Sequence, residues 1–142
     1  MDRRSTTGFV FMWNKSPISW CSKKQSVVAL SSCESEYIAG AVTACQAIWL
    51  VSLMKELKIA EKGLVTLLID NKSAINLAKN PVLHGRSKHI DTKFHFLHEQ
   101  VEKGSIEVNH CSTQLQIADI LTKGLKTDKF LKLRRDMGVT AF

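Results

Sequence analysis

The chain predicts a mixed α/β layer protein of order ββαβααβαα, on three observations. Short strand-like runs alternate with helical ones. The longest helical run, Tyr37 to Met54, holds 18 residues without a charge. An apolar strand, Leu64-Val65-Thr66-Leu67-Leu68-Ile69, ends abruptly on Asp70. At 142 residues the chain suits one domain with a real core. That domain is expected over residues 2–139, with 140–142 as a tail.

Each element has a local reason. Gly8-Phe9-Val10-Phe11-Met12-Trp13 is rich in aromatic and β-branched residues and reads as a strand. Asn14-Lys15-Ser16-Pro17 supplies a turn, and Ile18-Ser19-Trp20-Cys21-Ser22 alternates apolar with polar as the second strand of a hairpin. Ser31-Ser32-Cys33-Glu34 offers capping chemistry ahead of the long helix. On that helix Ile38, Val42, Cys45, Trp49 and Leu53 form one stripe, while Gly40, Thr43 and Ala47 form a face of small residues. Both faces look buryable, so the helix is expected to be central. It barely reaches membrane-spanning length and is diluted by Gly40, Thr43, Gln46 and Ser52, so a buried core helix is the better reading and no membrane partner is expected.

Lys62-Gly63 breaks the helix. The strand ending at Asp70 lacks alternation, as one buried on both faces would. Asn71-Lys72-Ser73 caps a short helix, Ala74 to Lys79, which Asn80-Pro81 stops. A polar loop, His84-Gly85-Arg86-Ser87, leads to a helix with Ile90, Phe94, Leu97 and Val101 on one stripe, ended by Gly104. Ile106-Glu107-Val108-Asn109-His110 alternates as a strand. Thr113 can cap a helix running through Thr122, and Phe130, Leu133 and Met137 mark a last amphipathic helix. Trp13, Trp20 and Trp49 are expected in the core.

Composition narrows the function. Lys and Arg number 20 against 13 Asp and Glu, a formal charge of +7, which favours a polyanionic partner. Near the end Lys123, Lys126, Lys129, Lys132, Arg134 and Arg135 face only Asp128, which suits either a solvated helix face or nucleic-acid contact. Cys21, Cys33, Cys45 and Cys111 form no C-x-x-C pair, and reduced thiols are the natural reading. Met1-Asp2-Arg3-Arg4 leads into polar residues, not a signal peptide. An intracellular site is therefore expected.

Three carboxylates stand out. Glu36, Asp70 and Asp119 each lie in apolar surroundings at the edge of an expected element, where an unpaired charge is costly. A strand-end Asp and two acids in first helical turns can meet above a sheet. Magnesium suits such a set, and two ions about 4 Å apart can activate water and stabilise a leaving oxygen. Taken singly, each acid also fits a helix-dipole or capping role. Asp91, His95 and His98 share a helix face at the spacing zinc could use, but nothing else in the sequence supports a metal there, and an exposed face opposite the apolar stripe is the better account.

Three segments carry a resemblance: STTGFVFMWNKSPISWCSKKQSVVALSSCESEYIAG from Ser5, DNKSAINLAKNPVLHGRSKHIDTKFHFLHEQVEKGSIEV from Asp70, and QIADILTKGL from Gln116. Together they closely resemble the RNase H domain at the end of the Pol polyprotein of copia-type LTR retrotransposons, from Asp2 to about Val139. The resemblance implies an RNase H-like fold, a five-stranded mixed sheet flanked by helices. It implies hydrolysis of the RNA strand of an RNA–DNA hybrid during reverse transcription, assisted by two magnesium ions, with a reverse transcriptase domain upstream in the parent polyprotein. Glu36 falls on the family's helical catalytic Glu, Asp70 on its strand-end Asp and Asp119 on its helix-start Asp. As catalytic residues these three would also be the metal ligands. Asn71, Arg86, Lys88 and Lys93 would touch the hybrid, the cations by tracking its phosphates.

The chain departs from the family at its start. Members carry a first, central strand before the hairpin, in a Tyr-Ser-Asp-x-Asp-Trp-Ala-Gly type motif with the first catalytic Asp. This chain begins after it, and Asp2 matches a loop acid instead. The chain is accordingly expected to lack one metal ligand and an intact core, and to be inactive alone. The rival readings are a non-catalytic nucleic-acid-binding remnant, a pseudogene product, and a generic basic RNA-binding protein.

Overall fold

The computed structural model describes residues 3–59, 63–80 and 92–139. Element order follows the sequence expectation closely. Strands β1 (Thr6–Trp13) and β2 (Ser16–Lys24) precede the long helix α1 (Ser32–Glu56), strand β3 (Val65–Ile69) and helix α2 (Lys72–Lys79). A 3-10 helix, Thr92–His95, runs into α3 (Phe96–Glu102), followed by β4 (Ile106–His110). A second 3-10 helix, Ile117–Leu121, and α4 (Thr127–Met137) complete the chain. The protein is thus mixed α/β, with two two-stranded sheets flanked by helices, compatible with an RNase H-like fold. It divides into two compact units, a hairpin unit (Met1–Ala29 with Cys111–Phe142) and a helical unit (Leu30–His110).

In the hairpin unit β1 and β2 are antiparallel, with Trp13 opposite Ser16, so the turn is Asn14-Lys15 alone. Both turn residues have positive φ, at 48° and 64°, as a two-residue type I′ hairpin requires. Ser16 and Pro17, expected in the turn, belong to β2. The register slips beside Pro17: Phe11 faces Ser19 but Met12 faces Pro17, which leaves Ile18 as a bulge. A proline has no N–H for the ladder, and a bulge absorbs the defect. Gly8 lets the second 3-10 helix sit on β1, since a Cβ there would lie 2.5 Å from Thr122 Cγ2. Ser22 Oγ ties the same helix to β2 by donating to the Leu121 carbonyl at 2.6 Å. Helix α4 buries Leu133 and Met137 and ends on Gly138, whose φ of 86° favours glycine.

In the helical unit Ser31 caps α1, its hydroxyl accepting from Glu34 N at 3.0 Å. Of the two faces of α1 that looked buryable, only one is buried, and it is not the large-residue stripe. Tyr37, Ile38, Gly40, Ala41, Ala44, Ala47 and Leu50 are buried, while Val42, Cys45, Trp49 and Leu53 are exposed. Apolar residues run all round this helix, so close approach decides which side turns inward, and the small side allows it. At Gly40 an added Cβ would come within 2.6 Å of Leu97 Cδ2. By length and hydropathy α1 could cross a membrane, yet this small-residue face meets Leu97 and Ile69 of its own unit.

Strands β3 and β4 pair in parallel, Val65 opposite Ile106 through Ile69 opposite His110. Leu67, Ile69, Ile106 and Val108 point inward, but Leu68 is 57% exposed, so β3 alternates and is not buried on both faces. The helices of this unit cover one side of a two-stranded ribbon, and the other side carries Leu68, Glu107 and Asn109. The tryptophans likewise lie outside the core, Trp20 63% and Trp49 57% exposed.

Candidate functional site

Each of the three acids is placed by a different local device. Asp70 directly follows β3 and is half-buried. The next residue, Asn71, caps α2 through its side-chain oxygen, which accepts from Ala74 N at 2.9 Å. This strand–cap–helix joint fixes where the Asp70 backbone leaves the sheet. Glu36 is half-buried, one turn into α1 and one residue before the fully buried Tyr37. It therefore rides on the best-packed part of that helix.

Asp119 sits in the middle of the second 3-10 helix and is buried. Gln116, not Thr113, caps this helix, and the α-helix expected from residue 113 is absent: a single 3-10 segment stands there. The Asp119 carbonyl accepts from the backbone N–H groups of Thr122 and Lys123 at 3.2 and 3.4 Å, and from Thr122 Oγ1 at 3.2 Å. Its carboxylate has partners of its own. Oδ2 accepts from Lys129 Nζ at 3.2 Å and lies 3.5 Å from Lys123 Nζ. A buried carboxylate needs such compensation. Lys129 is largely covered, so its pair with Asp119 is shielded, whereas Lys123 is half-exposed and contributes little.

Carboxylate oxygens are the right donors for magnesium. Among the described residues, however, no group of three or more His, Cys, Asp or Glu stands together to hold a metal ion. Two ammonium groups occupy the Oδ2 side of Asp119. The arrangement within the hairpin unit is thus an ion cluster joining the 3-10 helix to α4, and no step through a metal follows from it.

The nucleic-acid residues are less visible. Arg86 and Lys88 lie outside the described residues, as does the side chain of Lys93. Asn71 spends its Oδ1 on the helix cap. Asp91 is also outside the described residues, while His95 and His98 have protein partners. His98 Nδ1 lies 2.8 Å from the Ala78 carbonyl, and its Nε2 lies 3.5 Å from Glu102. His95 Nδ1 is 2.8 Å from Tyr37 Oη. Burial, with the Glu99 carboxylate adding to it, pushes the Tyr37 phenol up to about 12. The phenol thus stays protonated and locks α1 to the start of α3.

Sequence reasoning missed both Lys129 and this Tyr37–His95 pair. Lys123 carried a signal, four residues after Asp119 on a helical segment. Lys129 carried none, ten residues on across a loop.

Comparison with known proteins places these features in context. The chain is 43% identical over 129 residues to "Retrovirus-related Pol polyprotein from transposon TNT 1-94" of Nicotiana tabacum, a match covering 91% of the chain and 10% of that polyprotein. It is 42% identical over 138 residues to the Pol polyprotein from transposon RE2 of Arabidopsis thaliana, covering 97% of the chain, and 42% over 139 residues to that from transposon RE1, covering 98%. The chain spans about a tenth of the length of these relatives. No family model matches it, and no solved structure does. The chain is therefore homologous, over nearly all its length, to one segment of transposon Pol polyproteins.

Proposed function

We propose that this chain is the RNase H region of a copia-type retrotransposon Pol polyprotein. Glu36, Asp70 and Asp119 would be three of the carboxylates that serve hydrolysis of the RNA strand in an RNA–DNA hybrid. The observation that carries the reading is the near full-length similarity to transposon Pol polyproteins. In support, Asp70 follows β3 directly and Glu36 stands one turn into α1, in keeping with the motif match, while Asp119 lies within a 3-10 helix where a helix start was expected. Magnesium is the proposed cofactor, held by those same three side chains and by an acid on the strand that family members carry ahead of the hairpin. Asn71, Arg86, Lys88 and Lys93 are the proposed contacts to the hybrid, with phosphates as their targets. A reverse transcriptase domain in the parent polyprotein is the proposed partner.

The test is hydrolysis of a labelled RNA–DNA hybrid in magnesium buffer by two proteins. One is this chain; the other is this chain fused to the segment that precedes the matched region in the tobacco relative. The fusion is expected to cleave the RNA strand and to lose cleavage in Asp70→Asn and Glu36→Gln. The chain alone is expected to be silent. A fusion that folds but never cleaves would remove the enzymatic reading, and cleavage by the chain alone would show that the preceding acid is dispensable.

A second reading, a non-catalytic nucleic-acid-binding module, is favoured by one observation: the Asp119 carboxylate is already engaged by Lys129 and Lys123. Hybrid binding without cleavage in the fusion would select it.

A further inference from the structure

The hairpin unit contains an open groove of about 620 Å³ that no part of the catalytic reading uses. Gln114, Gly124, Leu125, Lys126, Asp128, Lys129 and Lys132 line it, all from the stretch between the second 3-10 helix and the middle of α4. We infer that this groove is a second nucleic-acid contact, in which Lys126, Lys129 and Lys132 take the backbone phosphates of a strand. The inference rests on the nucleic-acid part of the proposed function and not on its hydrolytic part.

Charge and spacing argue for it. Lys126 is the N-cap residue of α4, and Lys129 and Lys132 follow at three-residue intervals, the latter two separated by a backbone rise of about 4.5 Å along the helix axis. Such a row suits a ligand whose charges also repeat along a line. Lysine is a compact point charge, and no arginine fork lines the groove. That chemistry fits contact with phosphates, to which lysine binds as a point charge. The lysines are not equivalent. Lys129 is committed to Asp119 at 3.2 Å and Lys132 to Asp136 at 2.8 Å. Lys126 has no ion-pair partner among the described residues, which makes its charge the most available. Asp128, also in the wall, opposes an anion. Across the stretch, Lys123, Lys126, Lys129, Lys132, Arg134 and Arg135 still outnumber Asp119, Asp128 and Asp136.

An anionic membrane is the main competitor, since a basic amphipathic helix can lie on lipid. It would need an apolar face beside the lysines. Leu133 and Met137 of α4 are buried within the unit. Phe130 and Leu131 on the same helix are 40% and 38% exposed, but neither lines the groove, where Leu125 is the one apolar side chain among polar and charged ones. The groove itself therefore suits nucleic acid better, and the vesicle arm of the test below reads the exposed pair.

The experiment is fluorescence anisotropy of the 142-residue chain with a labelled RNA–DNA hybrid, and with the single strands, in EDTA across a salt series. Lys126→Ala/Lys132→Ala is compared with Lys79→Ala/Lys103→Ala, an equal charge change on the helical unit. The groove pair is expected to weaken binding about tenfold and to flatten the log–log salt slope by about 1.5. The control pair should change affinity less than about threefold. Asp128→Asn is expected to tighten binding. Lys126→Ala alone, in an unpaired residue, should weaken it about threefold and serves where the double variant disturbs α4. Equal loss in both pairs, an unchanged groove pair, or wild-type chain that binds anionic vesicles and not nucleic acid would each overturn the inference. Because EDTA removes any catalysis, a failure here leaves the hydrolytic reading to its own cleavage test, and a failed cleavage test leaves the groove standing.

Discussion

The two units hold their candidate acids by different physics. In the helical unit α1 presses its alanine and glycine face onto its neighbours, and Tyr37, Ala44, Ala47, Leu97, Ile106 and Val108 are almost wholly removed from water. Glu36 and Asp70 inherit their positions from that apolar packing. The hairpin unit buries fewer apolar side chains, chiefly Phe9, Leu133 and Met137, and three polar ones, Thr7, Gln25 and Asp119. Its parts are tied by directed bonds: Gln25 Nε2 donates to Thr7 Oγ1 at 3.1 Å, Ser22 Oγ donates to the Leu121 carbonyl, and Lys129 holds Asp119. Apolar packing is indifferent to salt, whereas an ion cluster is not. The difference teaches that the hairpin unit relies on directed polar bonds, the ion pair on Asp119 among them, where the helical unit relies chiefly on apolar burial.

The largest expected effect tests the packed half of that contrast. Leu97→Ala removes a fully buried side chain from beneath Gly40 and is expected to cost about 3 kcal/mol. Urea melts at low and high salt should give the same loss. A cost below that of the next variant would reverse the comparison. Lys129→Ala strips Asp119 of its shielded partner and is expected to cost about 2 kcal/mol. Here the gap from wild type should narrow in 1 M NaCl, where the screening length falls to about 3 Å. Hydrogen exchange should rise over residues 117–123 and stay unchanged in β3 and β4.

The smallest effect sharpens the boundary between the two kinds of bond. Tyr37→Phe keeps the apolar ring and removes the hydrogen bond to His95, for a loss of about 1 kcal/mol. Tyr37 is the sole tyrosine, so an ultraviolet titration of tyrosinate reads it directly. Its folded-state value stands near 12 against the ordinary 10.0, so the folded state holds the proton more tightly. The stability this contributes is therefore complete below pH 10 and is lost as pH climbs from 10 through 12. A midpoint at 10 in the folded chain would show that the phenol is open to water.

Much of the fold was legible because its signals are local. Ser31 and Asn71 cap the helices their side chains suggested, and the hairpin and the two later strands fall where apolar runs or alternation put them. What could not be read depends on choices made at a distance. Periodicity offered two faces of α1 and could not say that Gly40 would meet Leu97 and leave Trp49 outside. An unbroken apolar run in β3 resembled a strand covered on both sides, yet Leu68 faces outward because this unit covers one side only. The turn expected over residues 14–17 is shorter, because a bulge at Ile18 admits Pro17 into β2. The three proposed acids stand out in the sequence by their apolar surroundings, while among the described residues no three such side chains stand together as a metal site. The lysine that holds Asp119 does not stand out, since no helical spacing connects residues 119 and 129.

The central proposal is that Glu36, Asp70 and Asp119 each bind magnesium when the preceding acid-bearing segment is joined to the chain. Manganese in place of magnesium tests it directly, through paramagnetic broadening of backbone amide signals in the fused protein at a small fraction of one equivalent. The expected result is simultaneous loss of the amide signals around residues 36, 70 and 119, with those of α4 beyond Lys132 retained. Broadening at Asp70 and Glu36 with Asp119 untouched, still held by its lysines, would contradict it.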